Sequence, residues 1–120
     1  MQFTIEVQSG YLKADMVERE TAPETAAFVD AIVDALSAQV MSRVLVSIRR
    51  SRPVFKVEEW KLSAALDKVA RIPGLRVAFV SDTRELGLSQ QYIALLGRQR
   101  GLEFEAFATA EAALAWLQRP

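Results

Sequence analysis

Residues 43–48, RVLVSI, are the stretch on which the fold turns. Val44, Leu45, Val46 and Ile48 make a short, largely β-branched run with apolar side chains on both sides, the pattern of a strand buried on both faces. Arg49-Arg50-Ser51-Arg52-Pro53 follows at once and ends it. A helical pattern then runs from about Val57 to Ala70, with Trp60, Ala64, Leu66 and Val69 inward and Glu58, Glu59, Lys61, Asp67 and Lys68 in water. Pro73-Gly74 stops it, and LRVAFV at 75–80 repeats the buried-strand pattern. A strand, a helix and a second doubly buried strand imply parallel pairing through a right-handed crossover.

The same reasoning extends both ways. Upstream, FTIEVQ (3–8) alternates Phe3, Ile5 and Val7 against Thr4, Glu6 and Gln8. Ser9-Gly10 supplies turn chemistry, and YLKADMVERE (11–20) sets Leu12, Ala14 and Met16 against Lys13, Asp15 and Val17, completing an antiparallel hairpin. Thr21-Ala-Pro-Glu24 has the spacing of a capping box with proline in the first turn. It predicts an amphipathic helix of about 18 residues, carrying Phe28, Val29, Ile32, Val33, Leu36 and Val40 inward. Downstream, SDTRELG reads as a loop or short turn. A helix is predicted from about Ser89 to Arg100, with Tyr92, Ile93, Leu95 and Leu96 on its apolar side. LEFEAF (102–107) alternates like an edge strand, and Thr109 caps a last helix carrying Leu114, Trp116 and Leu117. The expected fold is one α/β domain over residues 1–120, with a mixed sheet of about five strands and about four helices in the order ββαβαβαβα.

Two missing residue types exclude much chemistry. Without Cys there is no disulfide, thiolate nucleophile or Cys-based zinc site; without His there is no imidazole for a triad or a metal. No apolar run approaches the ~18 residues of a membrane span, and Met1-Gln2-Phe3-Thr4 does not begin a signal peptide. A cytoplasmic protein without cofactor, metal or nucleic-acid partner is expected. Formal net charge is zero, from 15 basic and 15 acidic residues, but it is segregated. Residues 1–42 balance at −5 (two basic, seven acidic), 43–76 at +6 (nine and three) and 77–120 at −1 (four and five).

The hairpin, RVLVSI, PGLRVAFVSD (73–82), RGLEFEAF (100–107) and EAALAWL (111–117) together resemble the SpoIIAA-like branch of the STAS superfamily, itself likened to CRAL-TRIO lipid-binding domains. The resemblance covers nearly the whole chain. It implies a small α/β module without catalytic machinery that binds a ligand, regulates or docks on a protein. Anti-anti-sigma members carry a phosphorylatable Ser in Asp-x-Ser-Ser-x-Gly after a strand. Here that place holds Ser47-Ile-Arg-Arg-Ser51-Arg-Pro53, without the Asp, the paired Ser or the Gly. Ser51 is the nearest candidate for modification, and the switch itself is not carried over.

In open α/β sheets ligands bind beyond the carboxyl ends of the parallel strands. Three loops are expected there, Glu20–Pro23, Arg49–Phe55 and Ser81–Leu88. Arg49, Arg50 and Arg52 can grip a phosphate or carboxylate, or they can be solvated and pair weakly with nearby acids. Phe55, Trp60 and Tyr92 can line an apolar pocket beside them, or simply belong to the core. Ser81 and Asp82, just past a buried strand, complete the candidate set, with an Asx-turn or helix cap as the structural role for Asp82. The expected function is a non-enzymatic regulatory or ligand-binding module for a small amphipathic or anionic, lipid-like or phosphate-bearing ligand. The alternative is a protein-interaction or homodimer module, using the acidic first helix (Glu24, Asp30, Asp34).

Overall fold

Positive φ at Gly10 (+84°) and the bond from the Gln8 N–H to the Tyr11 carbonyl (2.9 Å) close the predicted hairpin between β1 (Gln2–Val7) and β2 (Leu12–Val17). A computed structural model describes residues 2–53 and 62–120 of the chain. After the hairpin come α1 (Ala22–Gln39), β3 (Arg43–Arg49), α2 (Leu62–Val69), β4 (Arg76–Ser81), α3 (Arg84–Gln99), β5 (Glu103–Phe107) and α4 (Ala110–Leu117). The expected order ββαβαβαβα is the observed one. One mixed sheet holds the strands in the sequence β1-β2-β3-β4-β5, antiparallel between β1 and β2 and parallel elsewhere.

Strand order that never reverses has a consequence for the helices. Crossovers of one hand, taken repeatedly in one direction, all fall on the same face of the sheet. Alternate residues of β3 show this: Val44, Val46 and Ile48 enter the main core, while Leu45 faces the other way. Phe28, Ile32 and Leu36 of α1, Leu66 of α2, and Leu86 and Ala94 of α3 fill that main core. The opposite face carries α4 alone among the described helices, with Ala113 and Leu117 on Leu45 and Ala78. β2 is buried on one side only, through Leu12, Ala14 and Met16.

Eight residues make a marginal helix in water, so α4 depends on its surroundings. Thr109 caps its start by accepting the Ala112 N–H (3.2 Å). Two arginines from neighbouring strands hold its end. Arg43 Nη1 donates to the Leu117 carbonyl (2.9 Å), and Arg76 Nη1 to those of Trp116 (3.4 Å) and Arg119 (2.7 Å). Cations at a helix C-terminus satisfy orphan carbonyls and oppose the negative end of its dipole. The Arg76 guanidinium also lies 5.4 Å from the Trp116 ring centre, and its Nε pairs with Glu103 (2.8 Å).

Three local expectations are corrected. The helix expected from Ser89 begins at Arg84, because Thr83 is its N-cap and accepts the Leu86 N–H (3.1 Å). Its inward face is Leu86, Ser89, Gln90, Ala94 and Gly97, which leaves Leu95 exposed. On α2, Leu66 is buried and Ala64 is exposed, since two residues are about 200° apart on a helix. The expected beginning of that helix at Val57, with Trp60, lies outside the described residues.

Two positions test this packing. A Cβ at Gly97 would overlap the Phe104 ring, whereas one at Gly87 would make ordinary contact, 3.4 Å from Ser81 Oγ. Gly97→Ala is expected to lower stability by about 1–3 kcal/mol and Gly87→Ala to raise it by up to about 1 kcal/mol, read from urea unfolding midpoints. Val40, expected inward, instead closes α1 at φ +52° with 92 % of its surface exposed, because it is the left-handed C-cap, with its N–H on Ser37 and that of Met41 on Leu36, the place usually held by glycine. Val40→Gly should stabilise by about 1 kcal/mol, seen as a higher Tm; an unchanged or lower Tm would show the strain to be absent.

Candidate functional site

The site begins with a break in a strand pattern. Along β2, Lys13, Asp15 and Val17 point away from the main core, and continued alternation would send Arg19 the same way. Glu18 instead takes φ +61°, leaving the extended conformation. The next side chain turns inward, and Arg19 is only 2 % exposed.

Two loops hold it there. The Arg19 N–H donates to Ser51 Oγ (2.9 Å), and the Arg52 N–H donates to the Arg19 carbonyl (2.9 Å). Arg19 Nη2 donates to the Arg52 carbonyl, and Arg52 Nη1 to that of Glu20 (3.3 Å). Beyond Glu20, the capping box of α1 is complete. Glu24 Oε1 accepts the N–H groups of Glu20 and Thr21 (both 3.0 Å), and Thr21 Oγ1 accepts the Glu24 N–H (3.4 Å). The Glu20 N–H foremost, with the terminal amino group and the Thr21 hydroxyl (3.1 Å) also contributing, lowers the Glu24 carboxyl to about 2 against an ordinary 4.5. Burial lowers the Arg19 guanidinium to about 10 against the pull of the Glu24 charge, so it stays protonated at neutral pH.

Arg19 is among the lining residues of an otherwise apolar cavity of about 100 Å³ between the sheet and the helical layer. Phe28, Ile32, Val46, Leu66, Val77 and Phe104 supply much of its wall, and Thr25 is its other polar lining residue among those described. A second concavity, a cleft of about 420 Å³, lies at the carboxyl ends of β4 and β5. Ser81, Asp82, Thr83, Arg84, Gln91 and Phe107 are among its lining. Its place follows from topology. α3 leaves β4 toward one face and α4 leaves β5 toward the other, and a crevice opens where adjacent connections diverge.

The predicted residues are therefore divided. Ser81 and Asp82 line the second cleft; the Ser81 hydroxyl also donates to the Thr83 carbonyl (3.2 Å). Arg49, Arg50 and Arg52 are exposed and line neither concavity. The arginine loop packs against the Glu18–Glu20 turn; Arg50 has φ +47°, and the Arg49 carbonyl accepts the Glu18 N–H (3.2 Å). Ser51 locks that loop, since its hydroxyl accepts from Arg19 and donates to the Arg49 carbonyl (2.9 Å). Tyr92 is half-buried with Ala22, Ile93 and Leu96. Phe55 and Trp60 lie outside the described residues. Sequence reasoning missed Arg19, because the only signal for it is a backbone angle at Glu18. It also missed buried Gln90, whose Nε2 donates to the Val80 carbonyl (2.8 Å).

Among the described residues no helix is long and apolar enough to cross a membrane, and no group of three or more Asp or Glu is placed to hold a metal ion. Compared with known proteins, the sequence matches no family model and no curated protein.

The Glu24 charge should be legible in the acid limb of stability. Its carboxyl is depressed in the folded state, so the unfolded chain binds the extra proton and the contribution is present above about 4.5. It is lost as pH falls toward about 2. Glu24→Gln keeps an acceptor in the cap without the charge. Its deficit against wild type in urea titrations should be full at pH 6 and shrink steadily below pH 4.5; a deficit independent of pH would remove the charge from the account.

Proposed function

We propose that this chain is a non-enzymatic binding module for a small amphipathic anion, with the apolar part in the cavity beneath α1 and α2 and the charge on Arg19. The single observation that carries this is one buried arginine, Arg19, among the lining of a cavity whose other described walls are almost wholly apolar. Burying a cation costs free energy that an aliphatic side chain there would not cost. The Arg52 carbonyl and the Glu24 charge already offset part of that cost, and an anion in the cavity would offset more of it. The described lining contains no carboxylate, and Cys and His are absent from the chain, so among the described residues of the cavity only Arg19 and the Thr25 hydroxyl are polar. The resemblance to SpoIIAA-like STAS domains, drawn from element order, points to the same class of module.

The alternative, association through the acidic first helix, has less behind it. Glu24 is engaged in its own cap, and Asp30 pairs with Lys68 of α2. Exposed Asp34 remains on that helix.

The test compares hexanoate with hexanamide, matched in shape but not in charge, by methyl-detected NMR titration. Hexanoate should shift the Ile32, Val46 and Val77 methyls saturably, with hexanamide at least tenfold weaker. Arg19→Lys, which keeps the charge, should retain partial binding, while Arg19→Met should lose the preference for the acid. Equal binding of both compounds, or shifts confined to the surface arginines, would refute the reading.

A further inference from the structure

We infer that β1 is the pairing edge of a homodimer, in which the strand meets a second copy of itself, antiparallel, about a two-fold axis at Ile5. This surface is separate from the Arg19 cavity and from the acidic residues of α1. β1 ends the sheet, and no described element lies beyond it. The hairpin decides which of its backbone groups are unused. Continuing the register of Val7 with Leu12, Gln8 faces Tyr11, and its N–H donates to the Tyr11 carbonyl (2.9 Å). Hydrogen-bonded and non-hydrogen-bonded pairs alternate along an antiparallel ladder. Glu6 and Thr4 therefore bond across to Lys13 and Asp15, while Phe3, Ile5 and Val7 turn their N–H and C=O groups to the open edge.

Folded chains usually guard an open edge with lysine, proline, a bulge or short length. The far edge, β5, is a five-residue strand whose Glu103 pairs with Arg76 and whose Glu105 pairs with Arg98. β1 carries a single charge, Glu6, and neither lysine nor proline. On the face that meets the helices it leaves Phe3 36 % and Val7 53 % exposed. A register that pairs its odd positions with odd ones uses the free backbone groups and keeps these side chains on one face. Pairing about Ile5 sets Phe3 opposite Val7 of the second copy and engages all three outward residues, for about six hydrogen bonds. It also sets Thr4 opposite Glu6, a hydroxyl against a carboxylate. Pairing about Glu6 would oppose two carboxylates, and pairing about Thr4 would leave Val7 with no opposite residue in the strand.

The helices allow the join. α1 packs against both β1 and β2, so α1 and its copy would stand about 10 Å apart, the spacing of packed helices. Phe28 marks the flank of α1 nearest β1, its ring 5.6 Å from that of Phe3. At about 100° per residue, that flank carries Ala27, Ala31, Ala35 and Ala38, small enough for close approach. Asp30 is held by Lys68 of α2, on the side away from β1.

The experiment is sedimentation velocity from about 1 µM to 1 mM, with amide exchange read beside it. A dimer of the 13.4 kDa chain should form as concentration rises. Exchange should then slow at Phe3, Ile5 and Val7, with Thr4 and Glu6 protected throughout. The chain has no cysteine, so introduced ones report the register. Mixed and oxidised, the Thr4→Cys and Glu6→Cys proteins should join each other about tenfold faster than either joins itself, because opposed non-hydrogen-bonded residues lie about 4.5 Å apart. Val7→Lys should weaken association about tenfold or more, with the Tm of the dilute monomer retained. Asp34→Asn, which removes an exposed charge from α1, should leave association unchanged. A monomer across the whole range would overturn the proposal. So would a dimer that Asp34→Asn dissociates and Val7→Lys spares, or Thr4→Cys joining itself in preference to Glu6→Cys.

Discussion

Everything in this molecule depends on a sheet that is crossed in one direction only. Each parallel connection advances to the next neighbour, so α1, α2 and α3 are stacked on one face. One thick core results, and the second face is left to an eight-residue helix held by Arg43 and Arg76. A doubly wound sheet would open its ligand crevice at a reversal of strand order. This sheet has no reversal, and the nearest equivalent is the divergence of α3 and α4 around β4 and β5. That is why the cleft gathers Ser81 and Asp82 and passes over the arginine loop.

One-sided layering also explains where a buried charge can sit. α1, α2 and α3 pack on one face of the sheet, and Arg19, turned toward that face at the end of β2, is removed from water. Arg19 is placed there by the Glu18 backbone and clamped by Ser51, Arg52 and the capped start of α1. The clamp is built from backbone groups that would otherwise be orphaned where two loops meet. It joins the loop after β2 to the loop after β3, so these two loops and the first helix form one hydrogen-bonded unit. The exposed arginines contribute their backbone to this unit more than their charge.

The two concavities differ in kind. The interior one is small and, among the described residues, apolar except for Arg19 and Thr25. The cleft between β4 and β5 is larger and mixed in polarity, bounded by the capped starts of α3 and α4. The interior one runs along the covered face of the sheet, from Val44 and Leu75 to Ile48 and Phe79, and the cleft lies at the carboxyl ends of β4 and β5.

What the amino acids alone determine here is set by short-range physics. Alternation in FTIEVQ and RVLVSI, the 3.6-residue period after Thr21, and the Thr21–Glu24 capping box are satisfied within a few residues of themselves, so element order and sheet type are legible in the linear chain. The same local rules misplace what long-range packing decides. Gly97 is inward on α3 because the Phe104 ring lies against it, and Leu95 is outward for the same reason. The arginines at 49, 50 and 52 draw attention by their number, yet Arg19, which looks like one more outward residue of β2, reaches the cavity. Its direction rests on one left-handed backbone angle at Glu18, sustained by bonds to residues more than thirty positions away. No periodicity in a linear sequence records such a bond, because folding alone brings its two ends together.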